Sequence, residues 1–168
     1  VRNGADNHLE NVIGGNEKVL EARLSDAKFF YDEDVRTNLA DNLQKLEGVV
    51  FQEKLGSMGD KVRRIQALAG KLVEQLGHVD RKETTLRTAL LGKCDLVSQM
   101  VYEFPELQGI MGRYYAAGSA EELEVAEAIF EHYLPRFAGD KLPSSAGGIV
   151  LSLAEKADNL MGFFSMGI

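Results

Sequence analysis

Apolar residues recur at steps of three and four along almost the whole chain, and that spacing restricts it to packed amphipathic helices. The run "MGDKVRRIQALAGKLVEQLG" places Val62, Ile65, Leu68, Ala69, Leu72, Val73 and Leu76 on one wide face. "EKVLEARLSDAKFFY" repeats the pattern at Leu20, Leu24, Ala27 and Tyr31, with Asn16 in position to cap it. A second helix, "VRTNLADNLQKLEG", carries Val35, Leu39, Leu43 and Leu46 and stops at Gly48. A long helix from Arg81 to Phe104 aligns Leu86, Leu90, Cys94, Val97 and Val101, and Pro105 ends it or begins the next piece. "SAEELEVAEAIFEHYL" opens on a capping box, Ser119 with Glu122, and closes at Pro135. "GDKLPSSAGG" reads as a loop before a last helix, "IVLSLAEKADNLMGFF". "VVFQEKLGS" fits either a strand or an irregular connection, and "VRNGADN" reads as a strand entering a turn. The expected fold is all-α, a bundle of about seven helices with a short irregular N-terminal segment.

Composition narrows the function. With 45% hydrophobic residues and no tryptophan, 168 residues bury one core of aliphatic, Phe and Met side chains. A net charge of −7 argues against a surface built throughout for nucleic acid, although 19 Lys and Arg leave room for a local basic face. One cysteine forms no internal disulfide and suits a reducing compartment. No run approaches the roughly 18 apolar residues of a membrane span, so the cytoplasm is the expected location. The start without methionine and the apolar end "GFFSMGI" read as cuts from something longer.

The chemical candidates are few. A nucleophilic Cys94 needs a partner base and a depressed pKa, yet His8, His78 and His132 all lie far from it in sequence. Its place in line with Leu90, Val97 and Val101 makes it a small buried hydrophobe first. The histidines form no pair at ligand spacing, which assigns them to a tail, a surface or a cap rather than a metal. "VIGGNEK" lacks the glycine spacing and Lys-Ser/Thr ending of a phosphate loop. "DKVRRIQ" sets Lys61, Arg63 and Arg64 opposite Val62 and Ile65, either a solvated face or a phosphate-contacting patch.

Five blocks carry a resemblance: "GNEKVLEARLSDAKFFYDED", "LEGVVFQEKLGSMGDKVRRI", "KCDLVSQMVYEFPELQGIMGRYYA", "EHYLPRFAGDKLPSS" and "LAEKADNLMGFFSMGI". In this order, from Val12 to Ile168, they resemble the β subunit of the bacterial two-subunit glycyl-tRNA synthetase. The resemblance implies an internal section of that subunit. Residues 1–48 would be the end of a preceding domain with connecting helices, and 49–168 a helical domain related to HD phosphohydrolases. It further implies an α2β2 ligase in which the α subunit activates glycine with ATP and Mg. The β subunit would hold tRNA(Gly), and this section would carry no cofactor of its own.

HD enzymes bind a metal through a histidine, a His-Asp pair and a later aspartate. By resemblance these positions fall at Met58, at Cys94–Asp95 and at Glu155, so both imidazoles are missing and only the acids persist. The expectation is a degenerate pocket free of imidazole and metal, with Asp95 left to cap or pair. The module would scaffold the enzyme and touch the tRNA backbone through Lys61, Arg63 and Arg64, with Arg113, Arg136 and Lys141 as weaker candidates. Two alternatives stand beside it. One is a metal-dependent phosphohydrolase using Asp95, Glu155 and His132. The other is a packing module whose contacts are "FQEKLGSMG" and "GFFSMGI".

Overall fold

The computed structural model describes residues 9–167, and the strand expected at "VRNGADN" lies outside them. Among the described residues seven α-helices follow one another: α1 (Leu9–Asp34), α2 (Met58–Gln75), α3 (Lys82–Leu91), α4 (Gln99–Glu103), α5 (Ile110–Gly118), α6 (Leu123–Glu131) and α7 (Ala146–Ser165). "VVFQEKLGS" forms a small antiparallel hairpin, β1 (Val50–Gln52) with β2 (Gly56–Ser57). The all-α bundle is the fold that forms.

Helix α2 is its axis. Ser57 caps it by accepting from the Asp60 backbone N–H, and the Asp60 carboxylate accepts in return from the Ser57 N–H. Its apolar stripe buries Ile65, Ala69 and Val73 against α3 and α7, and Val62 in a second cluster. Each large aliphatic side chain removed from water there contributes roughly 1.5–3 kcal/mol. The second cluster joins Leu39, Leu46, Leu91, Cys94, Val101, Tyr115 and Ile129, so residues before position 49 share the core of those after it.

Four local expectations give way to tertiary demands. α1 begins at Leu9 and runs through Gly14, Gly15 and Asn16, so Asn16 is no cap. Instead of one second helix there are two 3-10 turns, Leu39–Asn42 and Gln44–Gly48. The Leu39 N–H is drawn 2.9 Å from Ser119 Oγ, and local Asn and Asp side chains weaken a helical run. That same bond undoes the expected capping box. Ser119 terminates α5, Ala120 turns with φ 59°, and α6 starts after Glu122 without a side-chain cap. The long helix over 81–104 is broken into α3, a 3-10 turn at Cys94–Val97, and α4. α3 stops before Gly92, and Ser98 restarts the helix: its backbone is extended and its hydroxyl accepts from the Val101 N–H.

Helix α1 buries no residue completely and is held mainly at its C-terminal end. There the Asp34 carboxylate accepts from the Gln99 and Met100 N–H groups, each at 2.9 Å, and from the Tyr115 hydroxyl at 2.8 Å. A carboxylate on the orphan donors of α4 is favoured by hydrogen bonding and by the helix dipole together. Asp34→Ala should therefore release α1 and speed amide exchange at Gln99 and Met100 by an amount equal to about 1–2 kcal/mol. Unchanged exchange at those two amides would show the latch to be idle.

Candidate functional site

Four segments meet at a buried ionic cluster. α2 supplies Lys61 and Arg64, the turn after α3 supplies Lys93, the end of α6 supplies His132, and α7 supplies Glu155, Asp158 and Asn159. Lys61 is 1% exposed; its Nζ lies 2.6 Å from Asn159 Oδ1, 3.0 Å from Asp158 Oδ2 and 3.4 Å from Glu155 Oε1. Arg64 Nε reaches Asp158 Oδ1 at 2.7 Å, and its Nη1 reaches the Leu55 carbonyl at 2.9 Å. Lys93 Nζ sits 2.9 Å from His132 Nε2 and 3.3 Å from Glu155 Oε2, over the face of Tyr133 at 4.0 Å.

Charge states follow from these partners. His132 Nδ1 lies 2.6 Å from the Ile129 carbonyl, so Nδ1 carries the proton and Nε2 accepts from Lys93. Burial, then the Lys93 charge, hold His132 well below its usual pKa, so it is neutral. Burial pushes the Glu155 and Asp158 carboxyls up, but the cations outweigh it and leave both below their ordinary values. For Glu155 these cations are Lys93 and Lys61; for Asp158 they are Arg64 and Lys61. Burial pulls Lys93 down against the opposing pull of Glu155.

The expected HD-type positions are distributed otherwise. Met58 opens α2 and packs against the apolar core, and Cys94 is wholly buried with its thiol pushed up to about 12 by burial and then by Asp95. Asp95 makes its hydrogen bonds to the start of α5. Its Oδ2 accepts from the Gly109 N–H at 2.6 Å and the Gly112 N–H at 3.0 Å, which makes it the cap that α5 lacks in its own sequence. Gly109 has φ 77°, and a side chain at Gly112 would strike Ile129 at 2.7 Å, so both glycines are required for this approach. Of the four positions, only Glu155 reaches the cluster.

The pocket is not free of imidazole: His132 is 1% exposed at its centre, rather than on the surface. His78 precedes a 3-10 turn and is half-buried, and His8 lies outside the described residues. The donors do not fit a metal ion, because the His132 Nε2 lone pair and both Glu155 oxygens already meet ammonium groups. Among the described residues no three His, Cys, Asp or Glu side chains converge on one point.

Lys61 is also misplaced in the expected basic patch. It stands four residues before Ile65, on the buried stripe, and is held by α7. Arg63 is exposed but clamped by Glu47 and by Asp60 at 2.6 Å, which raise its pKa. Arg64 is committed to Asp158. The fold gathers half-buried Arg113 and exposed Arg136, at 5.0 and 5.9 Å from the ring centre of Phe130. Tyr114 and Phe137 lie exposed beside them. The loop carrying Arg136 and Lys141 is pinned at both ends. Asp140 accepts from the Arg136 N–H and Nε, each at 2.9 Å, and Glu131 accepts from the Ser144 and Ser145 N–H groups at 3.0 and 2.9 Å.

Lys93 and Asp158 were missed in the sequence reading. Lys93 adjoins Cys94–Asp95, and Asp158 stands three residues after Glu155 on one helical face.

Asp95 yields a pH prediction. Burial raises its carboxyl to about 6, against which the Gly109 N–H, Lys93 and the Gly112 N–H pull it down; Cys94 and Tyr133 are its other titratable neighbours. Its second oxygen, Oδ1, has no hydrogen-bond partner. Folded protein binds this proton more tightly than unfolded chain. The stabilisation is thus complete below the ordinary value of 3.8 and is lost as pH rises through about 6. Asp95→Asn cannot titrate, so its stability relative to the parent should improve by about 2–3 kcal/mol between pH 4 and pH 7, read from urea unfolding. A pH-independent difference would contradict the shift.

Comparison with known proteins completes the description. A family model described as glycyl-tRNA synthetase beta subunit matches residues 1–168. The glycine–tRNA ligase beta subunit of Syntrophomonas wolfei is 67% identical over 168 residues, 100% of this chain and 24% of that protein. The same subunit of Clostridioides difficile is 55% identical over 168 residues, again 100% and 24%. That of Bacillus subtilis is 52% identical over 169 residues, 100% and 25%. The chain spans about a quarter of the length of the curated relatives it matches.

Proposed function

Because this chain belongs to the glycyl-tRNA synthetase beta-subunit family, we propose that it forms a tRNA-holding and scaffolding module of a cytoplasmic glycine–tRNA ligase, without catalysis of its own. Its partners are the rest of the β subunit, tRNA(Gly) and an α subunit that activates glycine with ATP and Mg. The helical section over 49–168 corresponds, on this reading, to a degenerate HD-like domain. Among the described residues no helix is long and apolar enough to cross a membrane.

The observation that carries the reading is the Arg113–Arg136 pair on Phe130, with exposed Tyr114 and Phe137 beside the arginines and exposed Lys141 in the same loop as Arg136. Guanidinium groups held by a ring keep their planar forks available for phosphate oxygens, and aromatic faces add stacking. A pinned loop also loses less entropy on binding than a free one. Glu127 and Asp140 neutralise part of the charge, which suits exchange of a surface ion pair for a phosphate. Arg63 is a secondary contact on this proposal, since it must leave Glu47 and Asp60. Lys61 and Arg64 serve the interior.

Arg113→Glu with Arg136→Glu in the complete ligase should lower tRNA affinity about 10-fold or more and reduce the log–log salt slope by about 1–2. Arg63→Glu should act more weakly, and an unaltered slope in the double variant would remove the arginine face from the proposal.

The packing reading has an observation of its own. At one end of the bundle Val50, Met161 and Phe164 are more than two-thirds exposed, next to Phe51 and Phe163, whose rings lie 6.4 Å apart. Such an apolar patch suits another protein surface rather than RNA. The two readings are compatible, because they use different faces.

A further inference from the structure

The two buried lysines are surrounded as free ions would be. Around Lys61 Nζ stand an amide oxygen of Asn159, carboxylate oxygens of Asp158 and Glu155, and the ring face of Phe51 at 4.3 Å. Around Lys93 Nζ stand an imidazole lone pair, the second Glu155 oxygen and the ring face of Tyr133. Every partner is an electron-pair donor, and Glu155 bridges the two positions. The Glu155 Oε2 contact with Lys93 lacks the alignment of a hydrogen bond, so the attraction there is of charge rather than direction.

We propose that Lys61 and Lys93 are tethered cations: each ammonium fills a cation position in the protein interior, and removing Lys61 opens that position to a small free cation. The Lys61 position is the better defined, with three oxygens from one turn of α7. Oxygen ligands favour an alkylammonium or a hard divalent ion over a soft one. This inference does not depend on tRNA binding, so either can fail without the other.

Lys61→Ala removes three carbons and the nitrogen, a deletion that n-propylammonium matches atom for atom. The test uses the full-length protein and follows melting temperature together with amide exchange in α2 and α7. The parent should respond neither to n-propylammonium nor to Mn2+. Lys61→Ala should melt on the order of 10 °C lower, because Asp158, Asn159 and Glu155 lose a buried ammonium partner and a cavity is left beside them. Millimolar n-propylammonium should recover at least half of that fall (about 5 °C) and restore slow exchange, whereas n-propanol of the same shape should not. Mn2+ should also bind the variant, seen as one extra immobilised ion by electron paramagnetic resonance.

Recovery equal with propanol and propylammonium would show that the site needs volume rather than charge, and would overturn the proposal. So would a variant unmoved by either cation, or uptake of Mn2+ in this pocket by the parent. If Lys61→Ala is too unstable to purify, Lys61→Met keeps most of the stem without the charge, and its melting temperature should still fall below the parent's. A Lys61→Met protein as stable as the parent would equally refute the idea.

Discussion

The meeting of Lys61 and Arg64 with Glu155 and Asp158 sets the register of the bundle. On α2 the two cations are three residues apart, and on α7 the two acids are three residues apart, so one turn of each helix faces one turn of the other. Sliding either helix by a turn would strand a buried charge, at a cost of several kcal/mol. Lys93 and His132 extend the cluster to the chain before α4 and to the end of α6. Four segments distant in sequence are thereby fixed around one point, while the apolar stripes supply the bulk of the stabilisation. Apolar packing tolerates small shifts; ion pairs this deep do not.

The two acids at the expected HD-type positions have structural partners. Asp95 has turned to α5, where it satisfies two backbone N–H groups, and Glu155 has turned to two ammonium groups. Both keep a carboxylate's ability to accept, spent on structure. His132 supplies an imidazole from a position the pattern does not include, and its one lone pair is taken by Lys93. The interior there is polar, and its charges are met by opposite charges from neighbouring segments.

Surface chemistry is thus left to the outer face. Arg113 and Arg136 come from α5 and from the loop after α6, and Phe130 holds them together. Asp140 and Glu131 keep that loop from wandering, so the basic face is shaped before any partner arrives. The apolar end formed by the hairpin and the last turns of α7 is chemically different and sits on another part of the bundle.

Helix period is a local property, which is why α2 and α7 are readable directly from the spacing of their apolar residues. The same period held an overlooked clue, since Lys61 precedes Ile65 by four and therefore lies on the buried stripe. Other features had no local signature. Ser119 and Glu122 satisfy a capping box by type and spacing, yet Leu39, 80 residues earlier, claims the serine hydroxyl. The hydrogen-bond partners of Lys61 lie 97 and 98 residues away, and the imidazole that meets Lys93 lies 39 away. Residue type and interval therefore settle the kind of element and the sort of core. Which charge meets which, and hence which cations stay inside and which face solvent, is decided only when distant segments close, because Coulomb attraction depends on distance in space and not along the chain.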